Sequence, residues 1–291
     1  MSTPEFARYR GLPTFAAFLT FIAIQEPYTM TFFSENINRI DSFPECSPSE
    51  LAELLSAPFV VTGHVKKWPA FKKWTAEFFS ERYGDHVVNV AALDEQERPM
   101  TIKEYFAYFT ALNEGRHSGE LYYLRDWNFE HLFPELQSDY TTPPMFNSWT
   151  DDLPVGERPT LRWIYIGVKG TGSSMHLDTM DTSAWNAVIK GKKLWTFIPP
   201  ATDKIMIAAS AAAPREDAII CIQNEGDLVF TPSGWLHQVE NLESGISLTE
   251  NFVNITNYLA VRQFLIDNDE MDHVALLDQL KNEHCAEAQS A

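Results

Sequence analysis

The chain has 291 residues, with 22 Lys+Arg against 40 Asp+Glu and a formal net charge of −18. That length can bury a sizeable core, and 45% hydrophobic with 21% charged residues is globular composition rather than disorder. Three scattered cysteines (Cys46, Cys221 and Cys285) exclude a disulfide framework and a clustered cysteine zinc site, and the acidic balance tilts against binding to a nucleic-acid backbone.

Leu12 to Ile24 is an apolar run behind Arg8 and Arg10, shorter than the roughly 18–20 residues of a membrane span. Three readings stay open for residues 1–29: a secretory signal, an amphipathic extension packed on the domain, or residues upstream of a start at Met30. The second and third are preferred, since three scattered cysteines fit a reducing compartment. Ser47-Pro48-Ser49-Glu50 predicts a helix start, with Ser47 as cap, Pro48 in the first turn and Glu50 completing a capping box. Leu51, Leu54 and Leu55 form its apolar stripe. Residues 58–65 read as a strand, Thr75 to Tyr83 as a helix stopped by Gly84, and residues 86–93 as a second strand. Thr101 to Glu104 is another capping box, opening an aromatic helix with Tyr105, Phe106 and Phe109. LYYL at 121–124 is a short strand, and Pro134 to Pro159 reads as a surface wrap rich in Pro, Asp and Thr.

From Arg162 onward, segments of four to eight residues follow one another between Gly and Pro turns, such as RWIYIG, SSMHLD, AWNAVI and KLWTFI. Many short strands so punctuated indicate a β-sandwich or barrel. Ala208 to Ala213 is a helical turn or a linker loop. Helical spacing returns at Tyr258, Val261 and Leu265, then at Val274, Leu277 and Leu280. Leu265 to Ala291 holds seven acidic residues against one basic, Lys281, and is expected to be helix followed by a frayed acidic tail. The expected fold is mainly β with flanking helices, in one domain.

Of the eight histidines, only His176 stands two residues from a carboxylate inside a predicted strand. Positions i and i+2 of a strand share a face, so His176 and Asp178 can turn an imidazole and a carboxylate toward one ion. His237, after the Pro232-Ser233-Gly234-Trp235 turn, supplies a third ligand. Two His and one carboxylate with open positions is the arrangement of non-haem Fe(II) oxygenases. The same His176 and Asp178 could instead form a hydrogen-bonded pair at a strand end. An Fe(II) oxygenase of this kind draws two electrons from 2-oxoglutarate, whose far carboxylate needs a buried cation and hydroxyl or amide donors. Lys193 is the candidate cation, with Asn186 and Thr249 as candidate donors; a solvated strand edge is the other place for a Lys after a Gly turn.

The ordered motifs Arg158-Pro159, Arg162-Trp163, His176-x-Asp178, Thr182 to Ala187, Gly191-x-Lys193-x-Trp195, Pro199-Pro200, Glu225-Gly226-Asp227, Pro232 to His237 and Thr249-x-Asn251-Phe252 carry a resemblance. The chain resembles the JmjC-domain 2-oxoglutarate oxygenases of the cupin superfamily, in the small JmjC-only hydroxylase branch, over about residues 40 to 265. The resemblance implies a double-stranded β-helix (jelly-roll) core in an α+β chain. It divides the chain into an N-terminal extension (1–29), the oxygenase domain (30–265) and a C-terminal helix with acidic tail (266–291). It implies Fe(II) on His176, Asp178 and His237, 2-oxoglutarate paired with Lys193, O₂ as co-substrate, and Tyr122, Asn186 and Thr249 lining the co-substrate pocket. The implied activity is hydroxylation of a protein side chain, lysyl first. Hydroxylation of a small metabolite or modified RNA base, lysine demethylation, and a non-catalytic cupin binding module are the alternatives. The three ligands together with Lys193 argue against the last. The expected partner is a protein substrate, with neither nucleic acid nor membrane. The chain is a monomer, or a homodimer through the C-terminal helices, in the cytoplasm or, in a eukaryote, the nucleus.

Overall fold

Two long strands shape the sheet: β8 (Ser183–Ile198) and β11 (Leu236–Phe252). The computed structural model describes residues 35–94, 96–200 and 216–290; the readings for residues 1–29 and for Ala208 to Ala213 lie outside them. Among the described residues eleven strands form one mixed sheet. The remaining strands are β1 (Asn38–Ile40), β2 (Phe59–Val61), β3 (Val87–Ala92), β4 (Glu97–Thr101), β5 (Tyr122–Trp127), β6 (Arg162–Gly167), β7 (Gly172–His176), β9 (Ile219–Gln223) and β10 (Leu228–Thr231). Their order is β1-β2-β10-β8-β11-β6-β5-β3-β4, with β7 added to β11 and β9 to β8. Among the described residues only the β1–β2 pairing is parallel.

AWNAVI and KLWTFI, expected as two strands, are the two arms of β8, hinged at Gly191. Its first arm pairs with β10 and its second with β9, while β11 runs antiparallel along both. The register slips between Asn241 and Ser247, opposite the hinge. Gly191 has φ +91°, and a Cβ there would lie 2.7 Å from the Ser244 carbonyl oxygen. A side chain at this crossing would force the two strands apart. The bend folds one continuous sheet back over itself, as a jelly roll requires.

Helices cover the ends: α1 (Pro48–Leu54), α2 (Pro69–Lys73), α3 (Ala76–Tyr83), α4 (Ile102–Asn113), α5 (Tyr258–Asp267) and α6 (Met271–Ser290). Both expected capping boxes form, at Ser47/Glu50 and Thr101/Glu104. Gly84 ends α3, as expected, and does so at φ −54°, in the right-handed region. β4 is not evident in the sequence, because Glu97-Arg98-Pro99-Met100-Thr101 has no apolar alternation. It is the last strand of the order, where a Pro without an N–H is tolerated. The C-terminal stretch expected to fray is helical through Ser290.

The main core packs Trp74, Phe79, Phe106, Trp185, Phe230 and Phe252 between helices and sheet, all buried. A second cluster joins α5 and α6 to the 149–153 turn through Trp149, Leu153, Val261, Leu265, Val274 and Leu277. The wrap from 134 to 159 is therefore anchored, not loose.

A polar knot fastens it as well. Arg162 donates to Glu130 at 2.5 Å, to Asp151 at 2.5 Å and to Glu250 at 2.9 Å. The Tyr140 and Thr142 hydroxyls donate to Glu250 at 2.6 and 2.7 Å. Burial opposes the Arg162 cation, but Glu250, Asp151 and Glu130 outweigh it and raise its pKa. Arg162→Ala leaves Glu250 buried without its cation and Glu130 with only the Arg158 guanidinium at 3.9 Å, an expected loss of about 3–5 kcal/mol. The urea midpoint measures it; an unchanged midpoint would show that the knot adds nothing to stability.

Candidate active site

His176 closes β7, and His237 sits directly opposite it near the start of β11. Their ring centroids are 4.3 Å apart. Asp178 follows β7 in extended backbone (φ −63°, ψ 152°), so the two-residue step still turns it to the same side as His176. The potential ligand atoms of His176, Asp178 and His237 all lie within 4.8 Å of one another, and His237 Nε2 is 4.0 Å from Asp178 Oδ2. Atoms each about 2 Å from one ion must lie within about 4 Å of each other, so modest closure suffices.

Three further observations fit this donor set to a metal. His176 Nδ1 is 2.7 Å from the Ser174 carbonyl and His237 Nδ1 is 3.0 Å from the Trp235 carbonyl. A carbonyl only accepts, so each Nδ1 carries the proton and each Nε2 keeps its lone pair for an ion. Asp178 Oδ2 is buried with no hydrogen-bond partner, an orphan that an ion would satisfy. Burial, against the pull of Asp178, lowers the His237 pKa and holds its imidazole neutral, as a ligand must be. Two His and one carboxylate leave positions free on a six-coordinate ion such as Fe(II). The alternative of a simple His176–Asp178 hydrogen-bonded pair does not form: His176 spends its Nδ1 on backbone.

The same cavity is lined by Lys193, Asn186, Thr249, Tyr123 and Tyr165. Lys193 lies on the second arm of β8, only 6% exposed. Its ammonium donates to Asn241 Oδ1 at 2.9 Å and to the Tyr123 hydroxyl at 3.4 Å, both neutral. Among the described residues no carboxylate pairs with it. Burial depresses its pKa to about 7. It is not the solvated edge Lys; the adjacent Lys192, ion-paired at 2.9 Å to Glu243, fills that place. Asn186 donates to Thr249 Oγ1 at 2.8 Å, and its own buried Oδ1 has no partner.

Of the seven residues expected here, six come together. Tyr122 does not line this cavity. It faces the other side of β5, where its hydroxyl donates to Glu120 and the Arg98 guanidinium lies 4.0 Å from its ring centroid. Its neighbour Tyr123 points inward instead, and burial pushes the Tyr123 phenol up so that it stays protonated. A one-residue shift along a strand reverses the face, and two adjacent tyrosines hide that shift. Asn241, part of an Asn241-Leu242 motif of the resemblance but given no role by the sequence, joins the site from the face of β11 that it shares with 237 and 239. Asp181 accepts from the Gly234 N–H at 2.8 Å and so ties the turn before His237 to the turn after Asp178.

The cupin-like domain model matches residues 50–217, and the model described as JmjC domain, hydroxylase, matches residues 216–252. The chain is similar to the arginine-specific demethylase JMJ22 of Arabidopsis thaliana, 33% identical over 230 residues, 72% of this chain and 44% of that protein. It is 30% identical to the 2-oxoglutarate and iron-dependent oxygenase JMJD4 of Gallus gallus, over 69% of this chain and 55% of that protein. It is 27% identical to the bifunctional arginine demethylase and lysyl-hydroxylase psr-1 of Caenorhabditis elegans, over 81% of this chain and 66% of that protein. The chain thus spans about half the length of these relatives. Among the described residues no helix is long and apolar enough to cross a membrane.

Proposed function

The chain belongs to the cupin-like family with a JmjC segment, and from that premise we propose that it is an Fe(II)- and 2-oxoglutarate-dependent oxygenase that hydroxylates a protein side chain, lysyl first. The observation that carries the proposal is Lys193: a buried cation with no counter-ion among the described residues, in the same cavity as a His, Asp and His cluster. Burying such a charge unpaired is costly, and an anionic ligand offsets that cost.

His176, Asp178 and His237 would hold the iron. Bound there with 2-oxoglutarate and O₂, it supplies the oxidising equivalents that turn a C–H bond into C–OH, with succinate and CO₂ as by-products. Lys193 pairs with the far carboxylate of 2-oxoglutarate, and Asn241 aims the ammonium from the facing strand. Thr249 and Asn186 offer the hydroxyl and amide, and the role expected of Tyr122 passes to Tyr123. Trp185 and Trp195 wall the cavity and exclude water. The oxygenase unit of this reading is residues 30–265, followed by the C-terminal helix and acidic tail of 266–291.

Demethylation is the second reading, because relatives carry the names of arginine demethylases. It applies the same oxidation to an N-methyl carbon. Incubation of the purified chain with Fe(II) and 2-oxoglutarate tests the class: succinate should form only when both are present, and its absence at any iron loading would sink the proposal. A target that gains one oxygen marks hydroxylation; one that loses a methyl group marks demethylation.

Asp181 is expected to act at one remove. Asp181→Ala frees the Gly234 turn, and iron affinity should fall by about tenfold, as for other residues that orient ligands. Fe(II) titration under argon measures this; an unaltered affinity would make the Asp181–Gly234 tie dispensable.

A further inference from the structure

At the wall of the same cavity, β5 breaks its regular pairing. The register with β6 slips between Leu124 and Trp127, and within the slip Asp126 adopts φ +56°. That left-handed conformation is uncommon for a residue with a Cβ, and bulges of this kind re-aim side chains beside functional sites. Here the Tyr165 hydroxyl donates to Asp126 Oδ1 at 2.8 Å. Tyr165 lines the cavity together with His176 and Asp178, and its ring centroid is 6.1 Å from that of Tyr123. Burial first, then the Asp126 charge, raises the Tyr165 pKa and keeps the phenol a donor. Asp126 itself is exposed. Among the described residues no Lys, Arg or His forms an ion pair with it, and Oδ2 has no hydrogen-bond donor.

We propose that Asp126, oriented by Tyr165, is the specificity-determining carboxylate that receives the cationic end of the target, a lysyl ammonium or an arginyl guanidinium, at the cavity. The inference rests on the oxygenase reading above and adds to it the residue that selects the substrate. Asp178 belongs to the ligand cluster, where an ion would neutralise it, so its charge is not available to the target. The Asp126 charge is. Opposite charges then sort two ligands: Lys193 inside the cavity takes the anionic co-substrate, and Asp126, exposed outside its lining and tied to it through Tyr165, takes the cationic side chain. A carboxylate target would meet Asp126 in repulsion, and an apolar one would strip water from it without return. A charge-assisted hydrogen bond of this kind is also oriented, which would place the carbons next to the nitrogen toward the cluster.

The test uses the whole chain, loaded with Fe(II) and 2-oxoglutarate, in a cell lysate freed of small molecules and equilibrated with isotopically heavy O₂. Mass spectrometry maps new oxygen and lost methyl groups. Modified sites are expected on Lys or Arg side chains. Asp126→Asn should lower their yield at limiting target by about tenfold or more, with an equivalent rise in KM for a peptide bearing a mapped site. Asp126→Glu should recover part of the loss. Tyr165→Phe, which keeps the carboxylate, should raise KM by less than about threefold. Anaerobic 2-oxoglutarate affinity serves as the folding control. Sites on acidic or uncharged residues, succinate formed with no protein site, or an Asn variant that labels as well as the original would each overturn the proposal. Equal losses in the Asn and Phe variants would do the same, by assigning Asp126 to holding Tyr165 alone. Failure of the underlying reading looks different: the unaltered chain would form no succinate at all.

Discussion

Asp178→Ala is expected to lower 2-oxoglutarate-dependent succinate formation by about a hundredfold or more, while the chain stays folded. The activity loss follows from removing one of three ligands, a larger change than the loss of a residue that merely orients one, which already costs about 10–100-fold. The retained fold follows from the local structure. Asp178 occupies the N-cap of a short turn, yet its side chain makes no capping bond, and Oδ2 has no partner. A buried acceptor without a donor opposes folding, so its removal leaves the metal-free protein as stable as before, or slightly more so. Metal analysis together with a melting curve checks both halves. Normal succinate formation by the Ala variant would remove Asp178 from the ligand set.

Lys193→Met is expected to weaken 2-oxoglutarate binding by about a hundredfold or more, because truncating one side of a buried charge pair costs about 2–5 kcal/mol. The ligand-free Met variant should be at least as stable as the original, since it exchanges an unpaired buried cation for a chain of similar volume. Binding by the original protein should also depend on pH. With the Lys193 pKa near about 7, the free site is charged below that pH and ready for an anion. Above it the amine must take up a proton first, so Kd rises with pH, by up to about tenfold per unit. Calorimetry across pH 6 to 9, at roughly unit steps, measures the slope. A Kd flat over that range would mean that Lys193 remains charged without its ligand, or that it does not meet the carboxylate.

Much of the site is legible in the amino-acid sequence. His176 and Asp178 stand out because strand periodicity is short-range, and one pair of residues carries it. His237 stands out through the turn that precedes it. The capping boxes at Ser47 and Thr101 are legible because each is complete within four residues. The features that the sequence hides depend on partners distant along the chain. The hinge at Gly191 needs its neighbour at Ser244, so one bent strand reads as two. Tyr122 and Tyr123 are chemically equal, and only the pairing of β5 with β3 and β6 decides which one faces the cavity. Asp126 stands in the Arg125-Asp126-Trp127 motif of the resemblance, yet nothing local gives its carboxylate a role; the exposed, bulge-borne side chain gains meaning only with Tyr165 beside it. The Arg162 knot draws on residues 130, 151 and 250, a set that no local pattern announces.

In the proposed function one cavity holds a metal on His176, Asp178 and His237 and an anionic co-substrate on Lys193. An anaerobic calorimetric titration, Fe(II) first and 2-oxoglutarate second, tests it most directly. One equivalent of each is expected for the unaltered chain, no 2-oxoglutarate binding at comparable concentration in Lys193→Met, and no tight iron site in Asp178→Ala. Full 2-oxoglutarate affinity in the Met variant, or an intact iron site in the Ala variant, would contradict it.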